Sequence, residues 1–112
     1  MNIRRLARHI AVVSAAVCAV SGAPSHASPP APTTITVKNF MFTPTSATIK
    51  AGDTVTWVNE DDDPHTVVSD TGAFRSGAID THEAFSFEFD KPGIYHFTCS
   101  IHPQMVGTVV VQ

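Results

Sequence analysis

Four side chains that bind soft metal ions stand at informative positions in this sequence. Three of them share one short segment, because Cys99 is followed after two residues by His102 and after two more by Met105. The fourth is His65, which follows a turn far upstream. A thiolate, imidazoles and a thioether suit soft and borderline metals. We therefore predict a metal site formed by His65, Cys99, His102 and Met105.

The chemistry that this ligand set supports is single-electron transfer by copper. Two histidines and a cysteine in a trigonal plane, with a long axial methionine, form a blue-copper site. A site that lies between the geometries preferred by Cu(II) and Cu(I) changes little when the electron arrives. Taken singly, a lone cysteine is usually a small buried hydrophobe. The joint spacing of Cys99, His102 and Met105 favours the metal site.

The N-terminal segment predicts export. Three arginines precede an apolar run at 10–20, and small residues at 25 and 27 match the positions that a signal peptidase reads. We predict a signal peptide at 1–27, a proline-rich stub at 28–33 and one domain at 34–112. The apolar run has eleven residues, whereas a bilayer core needs about 20.

Removal of this leader changes the charge and the cysteine content of the protein. The three arginines leave, so four basic residues face ten acidic ones and the net charge moves from −3 to −6. This acidity favours a cationic partner and gives no sign of nucleic-acid binding. Cys18 also leaves, so Cys99 cannot form an intramolecular disulfide. Metal binding is then the better stabiliser of a small exported domain, and it would protect the thiol from oxidation.

The elements that must position these ligands are β-strands. Period-two alternation with regular turn residues runs from Thr34 onward and predicts an all-β sandwich of seven or eight strands. Phe97 and Cys99 share one face of the strand that leads into the ligand loop. The last strand is predicted at 106–111, and another is predicted to begin at His65 and run to Val68.

Other polar and sulfur-containing residues receive different interpretations. His96 is out of phase with Cys99, so its side chain points to the opposite face and is not predicted as a ligand. His82 is interpreted as solvent-exposed and Met41 as a core residue. The acidic run at 60–63 is interpreted as a solvated loop face. The alternative is that this run is a docking patch for a basic redox partner.

Three stretches of the chain carry a resemblance to a known family. They are AGDTVTWVNEDDDPHTV at 51–67, GIYHFTCSIHPQM at 93–105 and VGTVVV at 106–111. With them, the domain resembles the cupredoxins of the plastocyanin/amicyanin group, and its short C-x2-H-x2-M loop is most similar to that of amicyanin. The resemblance spans about residues 34–112 and implies a cupredoxin-like Greek-key β-sandwich.

The resemblance also implies a function. His65, Cys99, His102 and Met105 would bind one type 1 copper ion, and the protein would carry single electrons in the periplasm rather than act as an enzyme. Its partners would be redox proteins with a basic docking face, such as a c-type cytochrome or a dehydrogenase. Nucleic acid and a membrane span are not expected, and the chain would be a monomer. Two alternatives are a copper-handling module without electron transfer, and an immunoglobulin-like interaction domain whose Cys-His-Met loop is accidental.

Contacts around the ligands can also be expected from the resemblance. Asn59 would correspond to the family's asparagine that bonds the ligand loop and clamps Ser100. Members of the group often carry proline where this chain has Ile101. Because proline has no N–H, Ile101 could donate a hydrogen bond to Cys99 that those relatives lack. The imidazole edge of His102 would be the electron exit within an apolar ring. Candidates for that ring are Ile101, Pro103 and Val106.

Overall fold

The computed structural model describes residues 11–19, 22 and 32–112. Its strands are β1 (Thr33–Lys38), β2 (Met41–Thr43), β3 (Ser46–Ile49), β4 (Thr54–Asn59), β5 (Val68–Ser69), β6 (Ala84–Glu88), β7 (Gly93–Thr98) and β8 (Val106–Val111). The predicted cleavage after Ala27 and residues 28–31 of the predicted stub lie outside the described residues. Within the described ranges, no helix has the length and apolarity needed to cross a membrane.

Within residues 32–112, eight strands form two four-stranded sheets. One has the order β2-β1-β4-β6 and the other the order β3-β8-β7-β5. The β1–β4 and β3–β8 pairs are parallel, and the other pairs are antiparallel. This arrangement confirms the all-β sandwich and the strand count that the alternation predicted.

Aromatic side chains fill the space between the sheets. Trp57 and Phe97 are completely buried, and their rings meet edge to face with centroids 5.4 Å apart. Phe42 also packs edge to face against Phe97, with ring centroids 4.8 Å apart. Such edge contacts add specific geometry to the burial of apolar surface. Because Phe97 lies two residues before Cys99 on the same face, this core fixes the direction in which β7 delivers the cysteine.

Two sequence predictions about local structure were wrong. His65 does not begin a four-residue strand, because it forms only an isolated antiparallel bridge with Ile79, and β5 is limited to Val68–Ser69. The Val67 amide instead bonds the Ser76 hydroxyl at 2.7 Å. Met41 is 57% exposed rather than core, because β2 is an edge strand whose alternation turns Phe42 inward.

The predicted exposure of His82 and the predicted outward direction of His96 are confirmed. His96 is exposed on β7, where its Nδ1 lies 3.0 Å from the Thr108 hydroxyl. The His82 side chain is 76% exposed and lies beside Glu60. Neither residue lies in the histidine and cysteine cluster described below.

Candidate metal centre

The segment after β7 holds three of the four predicted ligands in a short closed loop. The Cys99 amide donates to the Met105 carbonyl at 3.1 Å, and the Met105 amide donates to the His102 carbonyl at 2.9 Å. β8 then begins at Val106. These two hydrogen bonds fold the backbone on itself, so that neighbouring strands carry both ends of the loop.

The fold brings His65 to this loop from the other side of the site. Two backbone hydrogen bonds with Ile79, of 3.1 and 2.8 Å, fix the His65 backbone. Its Nδ1 atom lies 3.9 Å from Cys99 Sγ, and Nδ1 of His102 lies 3.8 Å from the same sulfur. The three donor atoms all lie within 4.8 Å of one another.

This spacing of the donor atoms fits one metal ion. With metal–nitrogen and metal–sulfur bonds of about 2.0 and 2.3 Å, the lengths that zinc makes with the same atoms, a trigonal ion needs nitrogen–sulfur separations of about 3.7 Å. Cys99 and His65 are completely buried, His102 is partly exposed, and Met105, the last residue before β8, is 2% exposed. Two imidazoles, a thiolate and a thioether are the donor set of type 1 copper, so one copper ion is the cofactor that these residues fit.

Hydrogen bonds hold the Cys99 sulfur in its thiolate form. Burial alone would raise the pKa of Cys99, but bonds from the Thr66 amide, the two histidine rings and the Ile101 amide outweigh it. Together they lower the pKa to about 6. The Thr66 amide lies 3.4 Å from the sulfur. A thiolate is the form of cysteine that binds metal, so the site is set for binding at neutral pH.

The outer nitrogen of His65 is bound by a carboxylate that the sequence interpretation missed. His65 Nε2 lies 2.8 Å from Asp61 Oδ2, and the Asp61 side chain is only 11% exposed. Burial would raise the pKa of Asp61, but the amides of Phe40 and Asn39 and the His65 ring lower it. Such outer partners orient ligating imidazoles. The sequence had grouped Asp61 with a solvated acidic run, an interpretation that holds for the exposed residues at 62–63.

Thr66, and not Asn59, clamps Ser100. The Ser100 amide donates to the Thr66 hydroxyl at 2.8 Å, and the two hydroxyls lie 2.7 Å apart. The Asn59 amide group instead donates to the carbonyls of Asp63 and Ile79, both at 2.8 Å. The expectation for Asn59 was wrong because its side chain is used up in holding the loop that leads into His65.

The Ile101 amide gives a measurable prediction. It makes the smallest of the contributions that lower the pKa of Cys99, and proline at this position would remove it. Because a hydrogen bond to the sulfur weakens its donation to Cu(II), Ile101→Pro should lower the reduction potential. A loss of roughly 1 kcal/mol corresponds to about 40 mV for one electron. Voltammetry on both proteins measures the shift, and an equal or higher potential in the proline variant would contradict the assignment.

Apolar side chains are exposed on the loop and on the turn beside it. Ile101 and Val106 are 49% and 55% exposed, and Pro103 is also exposed. Phe40 packs against His102 from the β1–β2 turn, with ring centroids 4.9 Å apart. His102 itself is partly exposed. This end of the sandwich therefore offers a partly accessible imidazole with apolar neighbours.

Comparison with known proteins places this site in a family. Residues 11–111 match the cupredoxin-like domain. The chain is 41% identical over 86 residues to plastocyanin of Scenedesmus fuscus, covering 65% of this chain and 88% of the relative. It is 35% identical over 81 residues to amicyanin of Paracoccus versutus, covering 68% of this chain and 61% of the relative. This amicyanin is thus matched over less than two thirds of its length.

Structural comparison also finds similarity to amicyanin. An oxidized amicyanin mutant superposes with a TM-score of 0.69 at 28% identity, covering 71% of this chain and 81% of the other. The sandwich and the family match agree with each other. This chain belongs to the cupredoxin family, in the group of plastocyanin and amicyanin.

Proposed function

We propose that this protein is an exported type 1 copper protein that carries single electrons between redox partners. His65, Cys99, His102 and Met105 are the proposed copper ligands. The observation that carries the proposal is the convergence of two imidazole nitrogens, 3.9 and 3.8 Å away, on one buried cysteine sulfur. The plastocyanin and amicyanin relatives support the electron-carrier role.

The contribution of this chain is to keep the ligands still. Copper, when bound, takes up and releases one electron. Asp61 holds the outer nitrogen of His65, and Thr66 holds the loop through Ser100. Ligands that are fixed by hydrogen bonds on a rigid sandwich move little between oxidation states. An electron carrier needs a low reorganisation energy, because its ligands must hardly move when the electron arrives.

The charge distribution supports a partner with a basic face. The predicted mature chain has a net charge of −6, from four basic and ten acidic residues. Asp62 and Asp63 are exposed in the loop that precedes His65. A c-type cytochrome or a dehydrogenase with lysines around its redox centre would fit this surface. The arginine-rich, apolar leader supports export to the periplasm as the place where this partner is met.

Salt dependence tests the docking proposal. The rate of electron exchange with a basic c-type cytochrome, measured by stopped flow, should fall about tenfold or more from low to high ionic strength. The double variant Asp62→Asn, Asp63→Asn should exchange more slowly at low salt. Glu88→Gln is the control, because Glu88 is exposed on β6 and pairs with Thr54. Thr54 is the first residue of β4, whereas the acidic loop follows Asn59 at the other end of that strand. Equal slowing by both variants would refute a docking role for the acidic loop.

Copper retention separates electron transfer from copper handling. A carrier should keep its copper through repeated reduction and oxidation in the presence of a Cu(I) chelator. A handling module should lose the ion to the chelator in its reduced state. Atomic absorption on the protein after cycling gives the answer, and stoichiometric loss of copper would overturn the carrier proposal.

A further inference from the structure

Three aromatic rings meet at the candidate copper site, and one of them is not a ligand. The rings of His65 and His102 have centroids 5.0 Å apart. The Phe40 ring lies 5.3 Å from the first and 4.9 Å from the second, with its plane nearly perpendicular to both, at 88° and 84°. Phe40 therefore contacts both histidines from the same side. Phe40 is 40% exposed, whereas His65 beneath this contact is completely buried and His102 is partly exposed.

The backbone at Phe40 is unusual for such a large residue. Lys38 pairs with Met41, so Asn39 and Phe40 form a two-residue turn between β1 and β2. Both have positive φ, 53° and 56°. This turn type normally takes Asn-Gly, because positive φ is unfavourable for a bulky side chain. A strained residue of this kind persists only where its surroundings hold it, and such residues cluster at functional sites.

The Asp61 carboxylate stabilises this turn by hydrogen bonds. Its Oδ1 accepts the Asn39 amide at 2.6 Å, and its Oδ2 accepts the Phe40 amide at 3.0 Å. The same Oδ2 lies 2.8 Å from Nε2 of His65. One carboxylate therefore binds the turn that carries Phe40 and the histidine that Phe40 contacts.

We propose that Phe40 is a cover on the ligand cluster, and that Asp61 is the positioning residue that keeps the cover closed. The cover excludes water and small competing ligands, such as imidazole or azide, from His65, Cys99 and His102. Its role at a copper ion rests on the proposed function, but the closure itself is a property of the metal-free protein. The apolar ring and the carboxylate act together, so removal of either should open the same path to Cys99.

The accessibility of the Cys99 thiol tests the closure without metal. Cys99 is completely buried, and a Cys18→Ser background makes it the single thiol of the full chain. Labelling of the metal-free protein by Ellman's reagent should be about tenfold or more faster in Phe40→Ala, because local opening exposes the sulfur. Asp61→Asn should also accelerate labelling. Phe40→Tyr should label at the parent rate, and so should Met41→Ala, which removes an exposed neighbour on β2.

Repeating the labelling in low urea separates a cover from general destabilisation. Opening of a local cover should give a rate that hardly changes with urea, whereas global unfolding gives a steep slope. Equal rates in Phe40→Ala and the parent would overturn the proposal. The proposal would also be overturned if the labelling rate of Phe40→Ala rose with urea as steeply as the equilibrium constant for global unfolding.

A second experiment tests the cover in the copper-loaded protein. Titration with imidazole or azide should leave the visible spectrum of the parent unchanged and should alter that of Phe40→Ala. Identical titrations would contradict the cover. A protein that turns blue but labels equally fast in all variants retains the proposed function and loses the cover. A protein that never turns blue but shows the labelling difference retains the cover and loses the proposed function.

Discussion

Cys99→Ser is expected to abolish the intense visible absorption of the copper-loaded protein. That absorption comes from charge transfer between a thiolate and Cu(II), and a serine hydroxyl cannot supply it. Copper affinity should fall by at least about 100-fold, since even the loss of an outer-shell partner typically costs 10- to 100-fold. Titration with Cu(II), followed by absorbance and by competition with a chelator, measures both effects.

Cys18→Ser is the matched control for this substitution. Cys18 is exposed and lies in the predicted leader, so its loss should leave colour and affinity unchanged in the full chain. An intense band that survives in Cys99→Ser would show that the thiolate is not a ligand. A band that disappears only in Cys18→Ser would place the site elsewhere in the chain.

Gly107→Ala is expected to destabilise this sandwich strongly. A Cβ on Gly107 would lie 2.6 Å from Cε2 of Phe97 and closer still to its Cζ. Phe97 cannot move aside freely, because Trp57 and Phe42 pack against it at 5.4 and 4.8 Å. Overpacking of this kind costs about 3 kcal/mol at its upper range. Urea denaturation should show the loss as a lower midpoint with an unchanged slope.

Gly77→Ala provides the comparison. A Cβ on Gly77 would meet nothing within 4 Å, and Gly77 is exposed. Its substitution should change the free energy of unfolding by less than about 0.5 kcal/mol. Similar losses in the two variants would mean that the contact with Phe97 does not determine the cost. Gly107→Ala should also disturb the site, because β8 begins directly after Met105.

Much of the fold was predictable because burial on a strand leaves a period-two pattern. Val55 and Trp57 on β4 and Phe97 on β7 follow this rule and are completely buried. The rule fails at Met41, where alternation alone does not say which face of an edge strand meets the core. It fails at His65 because side-chain bonds, such as that between Val67 and Ser76, replace the strand ladder there.

The segment that carries three of the proposed ligands was predictable because Cys99, His102 and Met105 are close in sequence. The partners that hold the ligands were not, since their contacts join distant segments. Asp61 bonds a turn 21 and 22 residues away, and Thr66 bonds Ser100 across 34 residues. Nothing in the pattern of an acidic loop distinguishes the one carboxylate that turns inward. The contact of Phe40 with His65 and His102 could not be predicted for the same reason, because the three residues are distant in sequence.

The most direct test of the central claim is the absorption spectrum of the wild-type protein through one redox cycle. Addition of one equivalent of Cu(II) should turn the protein blue and produce an intense visible absorption band. A mild reductant should bleach it, and reoxidation should restore it to its original intensity without added copper. Copper that binds tightly without colour, or a band that does not return, would contradict a type 1 electron carrier built on His65, Cys99, His102 and Met105.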